Sequence, residues 1–193
     1  MPNWSSTSYA IEGPKETLQK IEQAINHPDV KEGSDESWEG NVLRALNITY
    51  IDRHDDRDKG KYMRGFIVDN PWWDKDALHF SAEEAWGVTD FDEVIMEAFP
   101  DVKVFWVTEE PNMEIYETND KESKYFKDRF YVDVCIDGNY EADYFQYESS
   151  VYKWLSDLTN GRVNSNETLE AFNDKYEGDD DNFIYVHEFR ISA

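Results

Sequence analysis

The run His54-Asp55-Asp56-Arg57-Asp58 is the densest group of metal-ligand side-chain types in the chain. An EF-hand calcium loop needs oxygen ligands at alternating positions, followed by a glycine and a distal glutamate. Arg57 interrupts this spacing, and three basic residues within 53–59 offset much of the negative charge. Asp179-Asp180-Asp181 is typical of a solvated turn. We therefore predict no metal site in either run.

Side chains that catalyse nucleophilic attack are present without a recognisable motif. Cys135 is the only cysteine, and the alternating pattern around it predicts a half-buried structural thiol on a strand. A nucleophilic pair of Cys135 with His187 remains an alternative, because the sequence alone cannot place the two residues in space. No two of the four histidines have the i, i+4 spacing of a helical zinc site.

Motifs for phosphate binding and acid–base catalysis are also weak. The chain has no glycine-rich phosphate loop and no Gly-Xaa-Ser-Xaa-Gly sequence. Glu83-Glu84 and Glu109-Glu110 are adjacent carboxylates, but such pairs are expected by chance among 43 acidic residues. We predict no catalytic residues and no cofactor.

Trp72-Trp73 is a stronger candidate for contact with a partner. Two adjacent indoles in a proline-containing connection cannot both point to one face of a sheet, so at least one is expected at the surface or over a sheet edge. Exposed tryptophans often anchor protein partners or stack on sugars. The candidate partner-binding residues are Trp72, Trp73, Trp86, Glu109 and Glu110.

The charge of the chain limits its partners. The formal net charge is −24 on 193 residues, with 21 acids and 10 bases in residues 1–100 and 22 acids and 9 bases in residues 101–193. A uniformly negative surface disfavours nucleic acids and anionic lipid, and it leaves basic partners, metal ions or plain solubility, of which solubility is the simplest interpretation. The start of the chain lacks the pattern of a signal peptide, and no apolar run is long enough to span a bilayer. We expect a cytoplasmic protein with 30 aromatic residues to build its core.

Residues 1–118 have the rhythm strand, helix, strand, strand, helix, strand. The predicted strands are Ser6–Glu12, Tyr62–Asp69, Ala77–Ala82, Val102–Thr108 and Met113–Glu117. One helix starts at Pro14 and another at Thr89 or Asp90. The insertion 29–61 contains a short helix at Asn41–Asn47 and an exposed charged loop at Asp52–Lys61. The order predicts an α+β, ferredoxin-like sandwich with both main helices on one face of an antiparallel sheet.

Residues 119–193 form a predicted C-terminal α+β extension. A strand over Arg129–Ile136 leads through Asp137-Gly138-Asn139, a strong hairpin signal, into a partner strand over Tyr140–Tyr147. Two amphipathic helices follow, around Val151–Leu158 and Leu169–Tyr176, and a last strand closes the chain at Phe183–Ile191. This part either continues the first sheet or packs as a smaller lobe.

The N-terminal part resembles the ferredoxin-like-fold family typified by YubB, whose members occur on phages, plasmids and integrated mobile elements. The resemblance is carried by Met1-Pro2-Asn3-Trp4-Ser5, by Gly13-Pro14-Lys15-Glu16, by Leu78-His79-Phe80 followed by Trp86, and by Phe99-Pro100 with Glu109-Glu110. It covers about residues 1–118 and implies the fold. Family members often have cysteine at the position of Ser5, so thiol chemistry proposed there is absent from this chain.

Three functions follow as hypotheses. The first is a non-enzymatic accessory protein of a mobile element that contacts a basic host protein, as a nucleic-acid mimic in its sharpest form. The second is an enzyme acting on a small molecule or nucleotide, which requires a concave pocket on the sheet. The third is a carbohydrate- or peptide-binding module that uses Trp72 and Trp73.

Overall fold

The computed structural model describes residues 3–30 and 35–192, so residues 31–34 of the predicted insertion lie outside the described residues. The chain divides into two compact units. Unit 1 comprises residues 1–121 and 191–193, and unit 2 comprises residues 122–190. Both units combine helices with antiparallel strands, as the α+β prediction requires. None of the described helices is both long enough and apolar enough to cross a bilayer.

Unit 1 is built on a seven-stranded sheet. Its strands are β1 (Trp4–Glu12), β2 (Gly65–Ile67), β3 (Trp72–Asp74), β4 (Ala77–Ala85), β5 (Lys103–Glu110), β6 (Ile115–Thr118) and β10 (Arg190–Ile191), and its helices are α1 (Lys15–Asn26), α2 (Glu39–Ala45) and α3 (Phe91–Ala98). The strand order is β10-β6-β5-β1-β4-β2, and β3 pairs separately with β4. The register between β1 and β4 sets Tyr9 opposite Phe80 and Ser5 opposite Glu84.

Helices α1 and α3 supply the apolar cover of unit 1. Leu18, Ile21 and Ile25 recur at helical spacing on α1 and are buried. They share one core with alternate residues of the central strands, including the stacked rings of Tyr9 and Phe80. Because successive strand residues face opposite sides, this alternation orients every second side chain of β1 and β4 toward the core.

Several segments of unit 1 differ from the predictions; the strand predicted over Tyr62–Asp69, for example, is limited to Gly65–Ile67. Trp72 and Trp73 belong to the short strand β3 rather than to an irregular connection, because β4 offers a free edge at His79 and Leu78. The strand predicted to end at Ala82 continues to Ala85. This extension matters because alternation then directs Glu84 inward and Glu83 outward.

Unit 2 is a three-stranded sheet with two helices. Its elements are β7 (Phe130–Ile136), β8 (Asn139–Phe145), α4 (Glu148–Leu158), α5 (Asn166–Lys175) and β9 (Phe183–Glu188), and the strand order is β8-β7-β9. Asp137 and Gly138 both have positive φ, as the tight turn between β7 and β8 demands. Ser165 and Thr168 form a capping box at the start of α5. Val132, Val134 and Ile184 face the helices and form the core.

Candidate anion-binding cleft and buried glutamate pair

The charged segment 52–61 is an exposed loop, as predicted, and backbone hydrogen bonds close it on itself. The Arg53 N–H donates to the Lys61 carbonyl at 3.0 Å, and the Gly60 N–H donates to the Asp56 carbonyl at 2.7 Å. A Cβ atom on Gly60 would lie 2.2 Å from the Arg53 Cα, so only glycine permits this closure. The backbone therefore fixes where the side chains of the loop emerge.

Ion pairs hold this loop against α3. The Lys61 ammonium group donates to the carboxylates of Glu93 and Glu97 at 2.6 and 3.0 Å. The hydrogen bond to Glu93 is the main cause that raises the pKa of Lys61 to about 12. Asp90 accepts the Tyr62 N–H at 2.6 Å and lies 3.6 Å from the Arg53 guanidinium. Both ends of the loop are thus joined to α3 or to the residue before it: Arg53 through Asp90, and Lys61 through Glu93 and Glu97.

A cleft of about 720 Å³ opens beside the loop. It is lined by Trp38, Asp52, Arg53, His54, Arg57, Tyr62, Met63 and Arg64. Three arginines therefore meet one carboxylate there, in a chain with 43 acids and 19 bases. Within the described part of the chain, Arg57 and Arg64 have no ion-pair partner. Such guanidinium groups are ready donors for a phosphate or carboxylate ligand.

Aromatic rings orient two of the arginines and form the apolar wall. The Arg64 guanidinium lies 4.9 Å from the ring centre of Trp86, and the Arg53 guanidinium lies 5.6 Å from that of Tyr62. The Tyr62 hydroxyl donates to the Ala85 carbonyl at 2.9 Å. Burial raises the pKa of Tyr62, and the charges of Arg64 and Arg53 oppose this rise. Tyr62 therefore contributes a neutral wall to the cleft.

Two fully buried glutamates lie on the elements that flank the cleft. Glu39 is the first residue of α2 and directly follows Trp38, and Glu84 lies on β4. The Tyr9 hydroxyl donates to Glu84 Oε1 at 2.6 Å, and the Thr89 N–H donates to the same oxygen at 3.2 Å. These bonds satisfy one oxygen of Glu84.

The surroundings of the pair favour a bound proton. The Thr89 hydroxyl lies 2.8 Å from Glu39 Oε2 and 2.9 Å from Glu84 Oε1, but it has only one hydrogen to donate. The two remaining oxygens, Glu39 Oε1 and Glu84 Oε2, are buried without a donor among the described residues. Burial, followed by the charge of Glu84 and a hydrogen bond to it, raises the pKa of Glu39 well above its ordinary value. These causes favour the protonated form of Glu39.

Gly65 on β2 packs directly against this pair. A Cβ atom at Gly65 would lie 2.6 Å from Glu39 Oε1 and 2.8 Å from the Glu84 Cγ. The glutamate pair therefore joins α2, β4 and β2. Because Gly65 directly follows Arg64, this contact also fixes the chain next to the cleft. With no exposed surface, the pair serves to position these elements rather than to contact a ligand.

A third carboxylate is also buried in unit 1. Asp92 on α3 accepts a hydrogen bond from the Trp106 indole at 2.8 Å, and burial raises its pKa. The bond ties α3 to β5 across the core.

The two tryptophans predicted for partner contact have different environments. Trp72 is 44% exposed and stacks on His79 with ring centres 5.5 Å apart. Trp73 is partly buried against the core, and its indole donates to the Glu22 carboxylate at 2.9 Å. The structure therefore leaves Trp72 as the more accessible of the two.

The other candidate partner residues are spread over unit 1. Trp86 is 48% exposed and lies under Arg64 beside the cleft. Glu109 is half-buried on β5, and Glu110 is buried with its Oε1 accepting from the Asn112 amide at 3.0 Å. These residues do not form one patch with Trp72, which lies on β3.

Cys135 and His187 are not brought together as a nucleophilic pair. The register pairs Cys135 with Phe183 and His187 with Tyr131, so four positions separate them along β7. His187 Nε2 instead lies 3.1 Å from the Asp133 carboxylate. Cys135 itself is buried. Within the described ranges, no three His, Cys, Asp or Glu side chains converge on a metal position.

Neither the cleft nor the glutamate pair was among the features predicted from the sequence. Arg53, Arg57 and Arg64 fall within twelve residues of a chain poor in bases, and this clustering was the available signal. For Glu84 the signal was the alternation of Leu78, Phe80 and Ala82, which continues to position 84. No signal identified Glu39, because it follows a polar stretch.

Comparison with known proteins found no relative. No family model, no curated protein and no solved structure matches the chain. The resemblance to the family typified by YubB therefore stays a prediction.

Proposed function

We propose that unit 1 binds a small anionic molecule in the cleft. The observation that carries this proposal is that Arg57 and Arg64, which have no ion-pair partner among the residues that the structure describes, both line a cleft of about 720 Å³ in a chain whose net charge is −24. Elsewhere the excess of carboxylates would repel an anion, whereas a cleft in which three arginines meet one carboxylate favours an anionic partner. The ligand belongs to the small-molecule class of the second hypothesis, and binding is the function proposed.

The walls of the cleft indicate the shape of the ligand. Trp38, Tyr62 and Met63 provide apolar surface, while the guanidinium groups provide planar, forked donors. A phosphate or carboxylate attached to a flat apolar group satisfies both. Phenyl phosphate and benzoate are simple probes of these two anion types, and benzyl alcohol is the neutral analogue.

Titration of the ¹⁵N-labelled protein with each probe tests the proposal. We expect phenyl phosphate or benzoate to shift the amide signals of Trp38, Gly60 and Tyr62, with affinity on the order of millimolar for so small a ligand. Benzyl alcohol should cause little change. Arg57→Gln and Arg64→Gln should each weaken anion binding by roughly tenfold, as the loss of a charge-assisted hydrogen bond predicts.

Lys20→Gln is the matched control, because it removes one exposed positive charge from α1, outside the cleft. Its affinity should equal that of the unaltered protein. Equal losses of affinity in Lys20→Gln and Arg64→Gln would mean that only the net charge of the protein matters, which contradicts a site in the cleft. The absence of any shift of the amide signals with phenyl phosphate or benzoate would also overturn the proposal.

We also propose that unit 1 is a ferredoxin-like sandwich. The support is that the strands β5, β1, β4 and β2 are neighbours in this order and that each pair is antiparallel. Along the chain, α1 lies between β1 and β2, and α3 lies between β4 and β5. This order is the one expected of the ferredoxin-like fold, in which two βαβ units share one antiparallel sheet. Membership of the family typified by YubB would place the chain on a mobile element.

A second function, contact with a basic host protein, is proposed from the surface charge. Both halves of the chain carry a large excess of acids, and unit 2 holds 16 acids and 7 bases. Pull-down at low and high salt tests it, because electrostatic partners dissociate as screening increases. Basic partners that are recovered only at low salt would support this function, and partners that are not basic would contradict it.

A further inference from the structure

The face of the unit 2 sheet opposite its core carries a regular array of aromatic side chains. Alternation and register place nine residues there in three rows, namely Tyr140, Cys135 and Phe183, then Ala142, Asp133 and Tyr185, then Tyr144, Tyr131 and His187. Six of the nine are aromatic or histidine rings. We call this set the tyrosine face.

Large parts of the tyrosine face are open to solvent. Tyr140 is 59% exposed, Tyr185 is 53% exposed and Tyr144 is 42% exposed. The rings of Phe183 and Tyr185 stack at 5.0 Å, and those of Tyr131 and Tyr144 lie 4.9 Å apart. A contiguous set of exposed rings of this kind usually marks an interaction surface.

Asp133 provides the only carboxylate of this face, at its centre. Its carboxylate lies 3.1 Å from His187 Nε2, and its side chain is 18% exposed. Its neighbour across β8 is Ala142, which is exposed and adds no side chain beyond Cβ in this row. The hydroxyl groups of Tyr131 and Tyr140, from the rows on either side, lie 3.4 Å apart. The centre therefore offers acceptors between tyrosine rings.

We propose that the tyrosine face docks an arginine-bearing segment of a basic protein. A guanidinium group can pair with a carboxylate through its forked donors while its flat face stacks on tyrosine, whereas an ammonium group has neither the fork nor a flat face. The 16 acids and 7 bases of unit 2 attract a basic segment and repel an acidic one. This inference rests on the second proposed function and names its surface.

The first test uses labelled tetra-arginine and tetra-lysine peptide amides, with fluorescence anisotropy on the full chain at fixed salt. We expect tetra-arginine to bind more tightly than tetra-lysine. Asp133→Asn and Ala142→Leu should each weaken tetra-arginine binding by roughly tenfold, since one removes the central charge and the other fills the row beside it. Tyr185→Ala should also weaken it.

Asp174→Asn is the matched control, because it removes one exposed negative charge from α5, which covers the other face of the sheet. It should change affinity by less than about twofold. Equal losses in Asp133→Asn and Asp174→Asn, or equal affinity for the two peptides, would overturn the surface assignment. A circular dichroism spectrum of each variant identifies any loss that comes from unfolding, and Ala142→Leu, at an exposed position, then decides.

The same variants separate this inference from the function beneath it. If Asp133→Asn and Ala142→Leu still recover the basic partners in a low-salt pull-down, the proposed contact with basic proteins stands, but its assignment to the tyrosine face is wrong. If no basic partner is recovered from the unaltered chain, the contact function itself fails. Loss of recovery in both variants, with retention in Asp174→Asn, supports both.

Discussion

The proton on Glu39 makes the stability of unit 1 depend on pH. The folded state keeps this proton above the ordinary glutamate pKa of 4.5, while the unfolded chain releases it. The stabilisation is complete below the unfolded value and is lost as the pH rises toward the raised folded value. In that window the free energy of unfolding should fall by up to about 1.4 kcal/mol per pH unit.

Glu39→Gln should reduce this dependence, because the amide keeps the shape of the side chain and carries its own hydrogens, while Asp92, whose pKa burial also raises, keeps its own contribution. Urea unfolding between about pH 5 and about pH 8 should give a flatter curve for the variant than for the unaltered protein. Glu36→Gln, at an exposed position, is the control and should follow the unaltered protein. Parallel curves for Glu39→Gln and the unaltered protein would show that the pair holds no extra proton.

The loop 52–61 depends on a single residue without a side chain. Gly60→Ala introduces a Cβ atom 2.2 Å from Arg53 Cα and 2.4 Å from its nitrogen, so the closed form should become less stable by about 1–3 kcal/mol. Local opening then exposes the backbone after Arg57 and Lys59. Trypsin should cleave there roughly tenfold faster or more.

Gly178→Ala is the control for this loop, because it introduces the strain of an alanine at a positive φ of 79° in unit 2, outside the loop. It should leave cleavage after Arg57 and Lys59 unchanged. Unaltered cleavage in Gly60→Ala would mean that the loop does not need the close approach, and the fixed geometry of the cleft would lose its basis.

The helices and most strands could be predicted from local pattern. The spacing of Leu18, Ile21 and Ile25 indicated α1, and the turn at Asp137-Gly138 indicated the hairpin, because both signals act between near neighbours. The cleft and the glutamate pair depend on long-range register instead. Glu39 and Glu84 are 45 positions apart in the sequence, and only the folded sheet brings them together. Short strands such as β3 form because a neighbour offers an edge, which local propensity does not report.

The excess of 24 negative charges acts on the whole chain. Self-repulsion among exposed carboxylates opposes the compact state, and added salt screens it. We expect the urea midpoint to rise when NaCl is raised from about 0.01 M to about 0.15 M, since the Debye length falls from about 30 Å to about 8 Å.

The same salt series near pH 4.3, the calculated isoelectric point, serves as the control. With net charge near zero, the midpoint should respond much less to salt. A midpoint that is independent of salt at neutral pH would mean that ion pairs balance the repulsion.

Strand β10 gives the chain an unusual order of assembly. Residues 191–192 return to unit 1, where the Ser192 N–H donates to the Thr118 carbonyl at 2.9 Å and β10 lies at the edge beside β6. Unit 2 is therefore an insertion within unit 1, between its sixth strand and its final edge. During synthesis on the ribosome, β10 emerges only after the whole of unit 2, so until then β6 has no partner strand on its outer side. A nascent chain arrested before residue 190 would present β6 as an open edge, the kind of surface that recruits chaperones or pairs with a second nascent chain.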